Sequence, residues 1–413
     1  MTNRVAITGM GCVSGLAQGV EATWEATLAG TGGIRPFSRT VGGQTGDDGA
    51  YAYEGVAALI DNLDASAVEA RFGPRIMAHL DPVAAWALVA TLEALEQAGL
   101  VGDPVLGGRT MILYGVGSGG NTTIEESYLR LFDKKATSVH PMTIPRYMTS
   151  SAASQMSMVF GVKGQALTIA SACASSAHAL AEGMHMIRAG RAEVVIAGGA
   201  EAPVSYGAWL GWKAVRAMTA TACRPFSAGR DGMALGEGAA TLVLENWDRA
   251  VARGVTILGE LAGAGASSDA FHITAPSGEG AERAIREAHQ DAHLALDTPV
   301  LVSSHGTGTE QNDKTEAAAL NAVYGPGMAD NLVIATKSAH GHLIGGAGAL
   351  EFILGVLALQ RGVAPPVLNW QGSDPACDVP LALGSARAIP YEALVSNSFA
   401  FGGLNSVLVA RKV

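Results

Sequence analysis

Cysteine and charged residues are scarce in this chain. Its 413 residues include four cysteines, without a Cys-x-x-Cys pair or a His-Glu-x-x-His run. A disulfide framework and a metal site are therefore not expected, and the reducing cytosol is the predicted compartment. Charged residues make up 15% of the chain, which indicates that much of the surface is hidden, for example in a subunit interface.

Charge-free hydrophobic runs and a surplus of positive charge are also missing. No apolar run of about 18 residues lacks charge, so no membrane span is predicted. The N-terminus, MTNRVAITGMG, enters an apolar strand without a basic region or a cleavage site, which argues against export and favours a cytoplasmic protein. The net charge of −10 argues against nonspecific binding to nucleic acid.

Apolar strand-like runs alternate with alanine-rich helical patterns along the whole chain, which predicts a layered α/β architecture. Residues 7–11 and 261–265 both read as a strand that runs into a glycine-containing turn, and this echo indicates a duplication with its seam near residues 246–255. No proline- or serine-rich linker separates the two parts, so we expect them to pack as one body. The polar, glycine-rich segment 30–66 is predicted to be a long surface loop.

Cys173 lies where an apolar strand meets a helical pattern through the small residues 171–176. A thiol at such a turn faces the positive end of a helix dipole and unpaired backbone N–H groups, which favour the nucleophilic thiolate. Taken alone, a cysteine in an alanine-rich stretch is as often a small buried apolar residue, as we expect for Cys12, Cys223 and Cys377.

Two segments farther along the chain supply imidazoles. His305 ends a strand and is followed by a turn rich in Gly and Thr, and His342 lies in a second post-strand segment, 336–351. A cysteine with histidines distant in sequence is typical of covalent acyl chemistry. Lys337 lies in an apolar setting that requires a counter-charge, for which Glu351 is the candidate. The compact turn at 396–405 offers backbone N–H groups for a developing oxyanion.

Residues 115–120 satisfy the pattern G-x-G-x-x-G after a strand. No acidic residue ends a second strand about 20 residues later, as dinucleotide binding requires. We therefore reject a nucleotide site and expect no cofactor.

Six motifs together resemble the β-ketoacyl-acyl carrier protein synthases of the thiolase superfamily, of the elongating, KAS II-like type. They are SACASS (171–176), RPFSAGRDGMALGEGAA (224–240), SSDAFHITAP (267–276), HGTGTEQNDKTE (305–316), TKSAHGHLIGGAGALE (336–351) and SNSFAFGGLN (396–405). The resemblance implies a five-layer α-β-α-β-α sandwich of two pseudo-duplicated halves. Residues 1–250 would carry Cys173, and residues 251–413 would carry His305 and His342.

The resemblance also implies a decarboxylative Claisen condensation. Cys173 would take an acyl group, while His305 and His342 would bind a malonyl thioester and promote its decarboxylation. Lys337 would act electrostatically beside Glu351, and Phe401 would gate the site and form an oxyanion hole with the backbone of Cys173. Asp313 would support the site structurally, and the substrate would contact a further set of residues, namely Gly120, Thr307, Thr309, Phe399, Ala400 and Gly402.

The partner implied by the resemblance is an acyl carrier protein, which brings its own phosphopantetheine. Lys213 and Arg216 are the first candidates for docking it, and Arg71 and Arg75 are the second. The resemblance further implies a dimer, formed either with a second copy or with a chain-length-factor-like paralogue.

Some positions depart from the common family pattern. Ala400 replaces a usual Gly and Leu404 a frequent Thr, and both bear on the Phe401 turn. Gln311-Asn312-Asp313 is a variant that we associate with specialised polyketide, polyene or nodulation-type synthases. Gly120 replaces a bulky residue at the floor of the acyl pocket, so we expect a pocket that is deeper or open toward a subunit partner. His340 has no assigned role, and His178 and His272 are interpreted as structural.

Two alternatives to an active condensing enzyme remain. A non-catalytic chain-length-factor subunit typically lacks the cysteine, which is present here as Cys173. A biosynthetic thiolase would need a second catalytic cysteine in a glycine-rich turn, and Cys377 is not in one.

Overall fold

The computed structural model describes residues 4–42 and 50–413. The strands in these residues are β1 (Val5–Ser14), β2 (Arg35–Val41), β3 (Tyr51–Ala58), β4 (Thr110–Gly115), β5 (Ala166–Ile169), β6 (Val194–Glu201), β7 (Leu235–Gly236), β8 (Gly238–Asn246), β9 (Gly259–Ser268), β10 (Leu301–Ser303), β11 (Leu332–Ile334), β12 (Val363–Ala364), β13 (Arg387–Ala388), β14 (Ala393–Ala400) and β15 (Leu404–Arg411).

The α-helices in the same residues are α1 (Val20–Leu28), α2 (Ser66–Phe72), α3 (Pro82–Gln97), α4 (Asn121–Tyr128), α5 (Thr143–Tyr147), α6 (Ser151–Phe160), α7 (Ser175–Arg188), α8 (Tyr206–Val215), α9 (Trp247–Ala252), α10 (Gly278–Asp291), α11 (Glu310–Tyr324), α12 (Lys337–His340) and α13 (Ala347–Arg361). The alternation of strands and helices expected from the sequence is therefore present.

The strand order repeats. Ten strands are hydrogen-bonded in the order β11-β10-β14-β15-β9-β1-β8-β6-β4-β5. Numbered along the chain within each set of five, both sets have the order 3-2-4-5-1 from the edge to the centre. The strand directions repeat as well, since β4 is parallel to β5 and β6, as β10 is to β11 and β14. The expected duplication is confirmed, whereas the boundary between residues 250 and 251 stays a prediction.

Five layers follow from the way the helices pack. Helices α7 and α13 contact strands of both sets and form the central layer. Helices α3 and α6 cover the outer face of the first set, while α10, with α11 against it, covers the outer face of the second. Strands β10 and β11 are buried along their whole length, as expected for strands covered by helices on both faces.

The described parts of segment 30–66, residues 30–42 and 50–66, differ from their prediction as a loop, and residues 43–49 lie outside the described residues. Strands β2 and β3 within it pair antiparallel, and β3 pairs with the short strand β7. Phe37 and Tyr53 on these strands pack against Trp209 of α8. A small apolar cluster therefore stabilises a strand pair that the polar, glycine-rich sequence of the segment does not predict.

The segment Ile344–Arg361 is long and apolar enough to cross a membrane, but 89% of it is buried inside the fold. It contains α13, which has strands on both sides, and the ionisable residue Glu351. The apolar character of this helix therefore reflects its central position in the core.

We expect Gly115→Val to destabilise the protein by about 3 kcal/mol or more, because the first side-chain carbon would lie 2.3 Å from the backbone nitrogen of Ser176. Urea unfolding measures this change. Gly107→Ala is the control, because nothing lies within 4 Å of the added carbon, and its free energy of unfolding should change by less than about 0.5 kcal/mol. Equal stability of the two variants would contradict this account of the packing.

Candidate active site

Cys173 lies on a sharp turn between β5 and α7. The turn is the short 3-10 helix Ala172–Ala174, and Ala172 has a left-handed φ of 49°. The N–H of Ser171 donates to the Ser175 hydroxyl oxygen at 2.9 Å, and that hydroxyl donates to the carbonyl of Ala172 at 2.7 Å. These two hydrogen bonds hold the strained turn in place.

The structure brings Cys173, His305 and His342 together. One sulfur or nitrogen atom of each residue lies within 4.8 Å of the others, and all three side chains are buried. The two imidazole rings are perpendicular neighbours with centroids 5.4 Å apart. His305 follows β10, and His342 follows α12, where its backbone pairs with Ala234 and Gly236 around β7.

The hydrogen bonds at the Nδ1 atoms define the tautomers. Lys337 Nζ lies 3.2 Å from His305 Nδ1, and the Ile344 N–H donates to His342 Nδ1 at 3.2 Å. An ammonium group and a backbone N–H can only donate a hydrogen bond, so both Nδ1 atoms are acceptors. Each neutral ring therefore carries its proton on Nε2. His342 Nε2 is buried without a hydrogen-bond partner among the described residues, and it is available to a substrate oxygen.

Both imidazoles are neutral near neutral pH. Burial holds the pKa of His305 and of His342 well below 6.5, and the positive charge of Lys337 lowers both further. His340 adds to the lowered pKa of His342. Neutral N–H donors are suited to stabilising an enolate oxygen.

Lys337 is buried and ion-paired. Its Nζ lies 2.5 Å from Glu351 Oε1 and donates to the backbone carbonyl of His305 at 2.6 Å. The pairing of Lys337 with Glu351 suggested by the sequence is therefore present, with the cation fixed beside His305. Although a thiol and two imidazoles are donor types that zinc binds, the adjacent Lys337 charge disfavours a further cation at this cluster.

The thiol of Cys173 is not a resting thiolate. Burial raises its pKa to about 11, although the Lys337 charge and the backbone N–H of Phe401 lower it. A helix terminus at this turn was expected to favour the thiolate, whereas burial raises the pKa of the thiol. The proton must therefore leave as the sulfur attacks.

The Phe401 turn lies over the cysteine. Phe401 connects β14 to β15, is 36% exposed, and packs against Trp212 with ring centroids 6.0 Å apart. Gly402 and Gly403 have left-handed φ values of 83° and 69°, which favour glycine. The Gly402 N–H donates to the carbonyl of Ile273 at 2.7 Å, so the segment around Ile273 supports this turn.

A cavity of about 570 Å³ connects Cys173, His305 and His342 to the surface. Most of the expected substrate-contacting residues line it, namely Thr307, Thr309, Phe399, Ala400 and Gly402. The Thr307 and Thr309 hydroxyl oxygens lie 2.9 Å apart and share a hydrogen bond. The cavity is therefore a passage of mixed polar and apolar lining that ends at a sulfur and two imidazoles.

Known proteins share both the sequence and this fold. Residues 2–250 match the family "Beta-ketoacyl synthase, N-terminal domain", and residues 258–371 match "Beta-ketoacyl synthase, C-terminal domain". The chain belongs to the β-ketoacyl synthase family. It is thus an acyltransferase of the 3-oxoacyl-[acyl-carrier-protein] synthase type, a condensing enzyme for fatty acid or polyketide elongation.

Individual relatives of this ketosynthase match over nearly their full length. Nodulation protein E of Rhizobium meliloti (strain 1021) is 40% identical, with 100% of both chains covered. The 3-oxoacyl-[acyl-carrier-protein] synthase 2 of Staphylococcus aureus (strain COL) is 34% identical, with 99% of this chain and 98% of its own covered. Among solved structures, the ishigamide ketosynthase/chain length factor superposes with a TM-score of 0.88 at 32% identity, with both chains fully covered.

Gly120 of this ketosynthase does not line the cavity. A first side-chain carbon there would lie 2.6 Å from Tyr147 Cα and 2.8 Å from the carbonyl oxygen of Arg146. Backbone already occupies the space that a bulky residue would take. The place of Gly120 at the floor of an acyl pocket therefore stays a prediction.

The basic residues expected to dock a carrier protein divide into two groups. Arg216 lines the cavity, and Lys213 is exposed one turn earlier on α8. Arg71 lies on α2 and pairs with Glu96 at 3.5 Å, and Arg75 follows that helix. Neither Arg71 nor Arg75 lines the cavity, so the α8 pair is the better placed of the two.

Two buried carboxylates that hold backbone near the site were not predicted from the sequence. Glu316 accepts the backbone N–H groups of His305 and Gly306 at 2.7 and 2.8 Å. Glu201, at the end of β6, accepts the N–H groups of Gly117 and Ser118 at 2.7 and 3.1 Å. A charged residue at the end of an otherwise apolar strand was the available signal for Glu201.

The Glu201 contacts also explain the glycine-rich motif at 115–120. The N–H groups of Gly117 and Ser118 in this motif donate to the Glu201 carboxylate. The carboxylate therefore takes the place that a phosphate would occupy in a nucleotide-binding turn. This arrangement agrees with the rejection of a nucleotide site.

The remaining histidines differ in their placement. His178 contacts Ser171 and the Ala174 carbonyl beneath the cysteine turn. His340 is fully buried and contacts Thr336 and the Gly341 carbonyl. His272 was interpreted as structural, but it is exposed and lines the cavity, where its Nδ1 accepts backbone N–H groups of its own loop.

Proposed function

We propose that Cys173 carries the growing acyl chain and that His305 and His342 bind and decarboxylate the malonyl unit. The observation that carries this proposal is the convergence of the thiol with two neutral imidazoles at the end of one cavity. In the first step the sulfur attacks the thioester carbonyl of an acyl carrier protein. The thiol proton passes to the departing pantetheine sulfur, and the acyl group remains on Cys173.

In the second step the malonyl thioester carbonyl accepts hydrogen bonds from Nε2–H of both histidines. The carbon–carbon bond to the carboxylate breaks, CO₂ leaves, and the electron pair forms an enolate that these donors stabilise. The enolate carbon then attacks the acyl carbonyl on Cys173. The backbone N–H groups of Cys173 and Phe401 stabilise the oxyanion. The Cys173 thiolate then leaves, the 3-oxoacyl thioester is released, and a proton from solvent restores the thiol.

Supporting roles follow from the contacts. Lys337, balanced by Glu351, fixes the His305 tautomer through its contact with Nδ1 and keeps both imidazoles unprotonated. Phe401 and Trp212 would move apart when acyl substrate enters, since their ring contact lies at the mouth of the passage. Asp313 supports the loop after His305 through the Gly308 N–H at 3.2 Å. Lys213 and Arg216 would meet the acidic carrier protein.

A second subunit is also proposed, either another copy or a chain-length-factor-like paralogue. The structure titled ishigamide ketosynthase/chain length factor gives the precedent for the second arrangement. In this chain the edge strand β5 exposes Leu167, and Phe132 and Met158 are also exposed, at 68% and 67%. An edge strand presents unpaired backbone groups, so β5 is a candidate for pairing with a second subunit. A non-catalytic role for this chain is disfavoured because Cys173 lies in the site with both histidines.

The similarity to a nodulation protein supports a specialised pathway, with a long or unsaturated acyl chain, rather than housekeeping synthesis. Intact-mass measurement with a panel of acyl carrier thioesters tests substrate and nucleophile together. We expect one acyl adduct on Cys173, with unsaturated chains loaded faster than medium saturated ones. Cys377→Ser is the control and should load normally. An adduct on another cysteine would contradict the proposed nucleophile, and loading confined to medium saturated chains would contradict the specialised pathway.

A further inference from the structure

Two buried carboxylates hold the loop that carries His305 (residues 305–309, the His305 loop). Glu316 binds the N–H groups at the start of this loop, and Asp313 binds the Gly308 N–H at 3.2 Å and the Phe226 N–H at 2.7 Å. Asp313 is fully buried and Glu316 is 1% exposed. The position of His305 therefore depends on acceptors that lie close together in a dry environment.

One side chain contacts both carboxylates. Asn312 Nδ2 donates to Asp313 Oδ1 at 3.1 Å and to Glu316 Oε2 at 3.4 Å. An amide nitrogen has two hydrogens, so it serves both acceptors without adding charge. Asn312 is half-buried and lines the cavity, yet nothing in the condensation mechanism above requires it.

The charges around Asp313 and Glu316 explain why a hydrogen-bond donor shared by both carboxylates matters. Asp313 faces Arg230, whose Nε lies 3.9 Å from Oδ2 and which also pairs with Asp374. Glu316 faces Lys337, which is already shared with Glu351. The pKa of Asp313 is raised to about 6, because burial and the neighbouring Glu316 raise it more than hydrogen bonds from Phe226 and Asn312 lower it. Burial likewise raises the pKa of Glu316.

We propose that Asn312 is a positioning residue that keeps Asp313 and Glu316 ionised, and so holds the His305 loop in its working conformation as the pH falls. Protonation of either carboxylate turns an acceptor oxygen into a donor, and a backbone N–H of the loop then loses its partner. Asn312 opposes that step because its amide stabilises only the ionised form. The inference rests on the proposed function, since its consequence is a shift in the acid limb of condensation.

The first experiment measures kcat/KM for condensation against pH in the full chain. Loss of hydrogen bonds to charged groups should move the acid limb of Asn312→Leu upward by about one pH unit. Asn312→Asp should move it farther, because it adds a third negative charge. Asn312→Ser keeps one donor and should give a smaller shift, and it also serves if the other variants fold poorly.

Asn321→Leu is the matched control. This amide lies on the same helix and donates to the backbone carbonyls of Ala317 and Asp378. Its loss removes side-chain hydrogen bonds without touching a carboxylate, so the acid limb should stay in place. Superimposable acid limbs for Asn312→Leu and wild type, or an equal loss of rate at every pH, would overturn the inference.

The second experiment does not depend on activity. A raised pKa in the folded state means that the folded protein binds more protons than the unfolded chain, so stability falls as the pH rises through that window. Loss of Asn312 should raise the folded-state pKa of Asp313 and Glu316 further, and so widen the pH range over which stability falls. The stability deficit of Asn312→Leu should therefore be small below the ordinary aspartate pKa of 3.8 and largest above about 6. A deficit that is independent of pH would reject the role of Asn312, whereas absent acylation of wild-type Cys173 would reject the proposed function alone.

Discussion

Replacement of Cys173 by glutamine should lower the rate of condensation by about 10⁴-fold or more, the scale of loss seen when a covalent nucleophile is removed. The amide cannot accept an acyl group, so the first step is blocked. His305 and His342 keep their positions, and their Nε2–H donors should still stabilise the enolate. Malonyl carrier thioester should therefore continue to lose CO₂, which is measured as release of labelled carbon dioxide beside an assay for the 3-oxoacyl product.

A double variant separates the two half-reactions. Addition of His342→Ala to Cys173→Gln should remove decarboxylation as well, because one of the two donors to the malonyl carbonyl is lost. Cys223→Ser is a suitable control, since the Cys223 thiol contacts the Thr307 carbonyl beside the site but does not line the cavity. Normal condensation by the Cys173→Gln protein would eliminate the proposed nucleophile.

Lys337→Met should destabilise the fold by about 3–5 kcal/mol, because it leaves the buried Glu351 carboxylate without its cation. The pKa of Glu351 is raised to about 7 by burial even with the Lys337 charge and hydrogen bond, which lower it. Without the lysine, Glu351 should take up a proton. Denaturant unfolding at several pH values measures both the loss and its dependence on pH.

The companion variant Lys337→Met with Glu351→Leu should recover most of that stability, because an apolar pair of similar size replaces a buried ion pair at little cost. Decarboxylation should stay depressed, since Met cannot contact His305 Nδ1 or its carbonyl. This divergence would show that the lysine acts on the imidazole as well as on the fold. Recovery of full activity by the double variant would reduce Lys337 to a structural role.

Much of the site could be predicted because its motifs are local. Cys173, His305 and His342 each lie in a segment that follows a strand. The parallel neighbours β10 and β11 bring the two histidine segments to one edge of their sheet. Cys173 follows β5 at the other end of the strand order, so its approach to the histidines depends on how the two sets pack on the central helices. Lys337 could be paired with Glu351 from its apolar surroundings alone. The duplication could be suspected from two glycine turns, although only the strand order makes it plain.

The predictions that failed depended on tertiary packing. The hairpin of β2 and β3 forms because Trp209, distant in sequence, provides an apolar partner. The pKa of Cys173 depends on burial from several elements, and the local turn alone pointed in the opposite direction. Glu316 was part of a quoted motif, but only the backbone geometry reveals what it binds.

The repeated strand order places Cys173 and His342 at equivalent positions in the two sets of strands. Cys173 follows the third strand of the first set, and the segment with Lys337 and His342 follows the third strand of the second. An assembly of two identical halves would be forced to present the same residue from both sides of its symmetry axis. Fusion of the halves into one polypeptide removes that constraint, so a sulfur can oppose an imidazole and the chemistry can be directional.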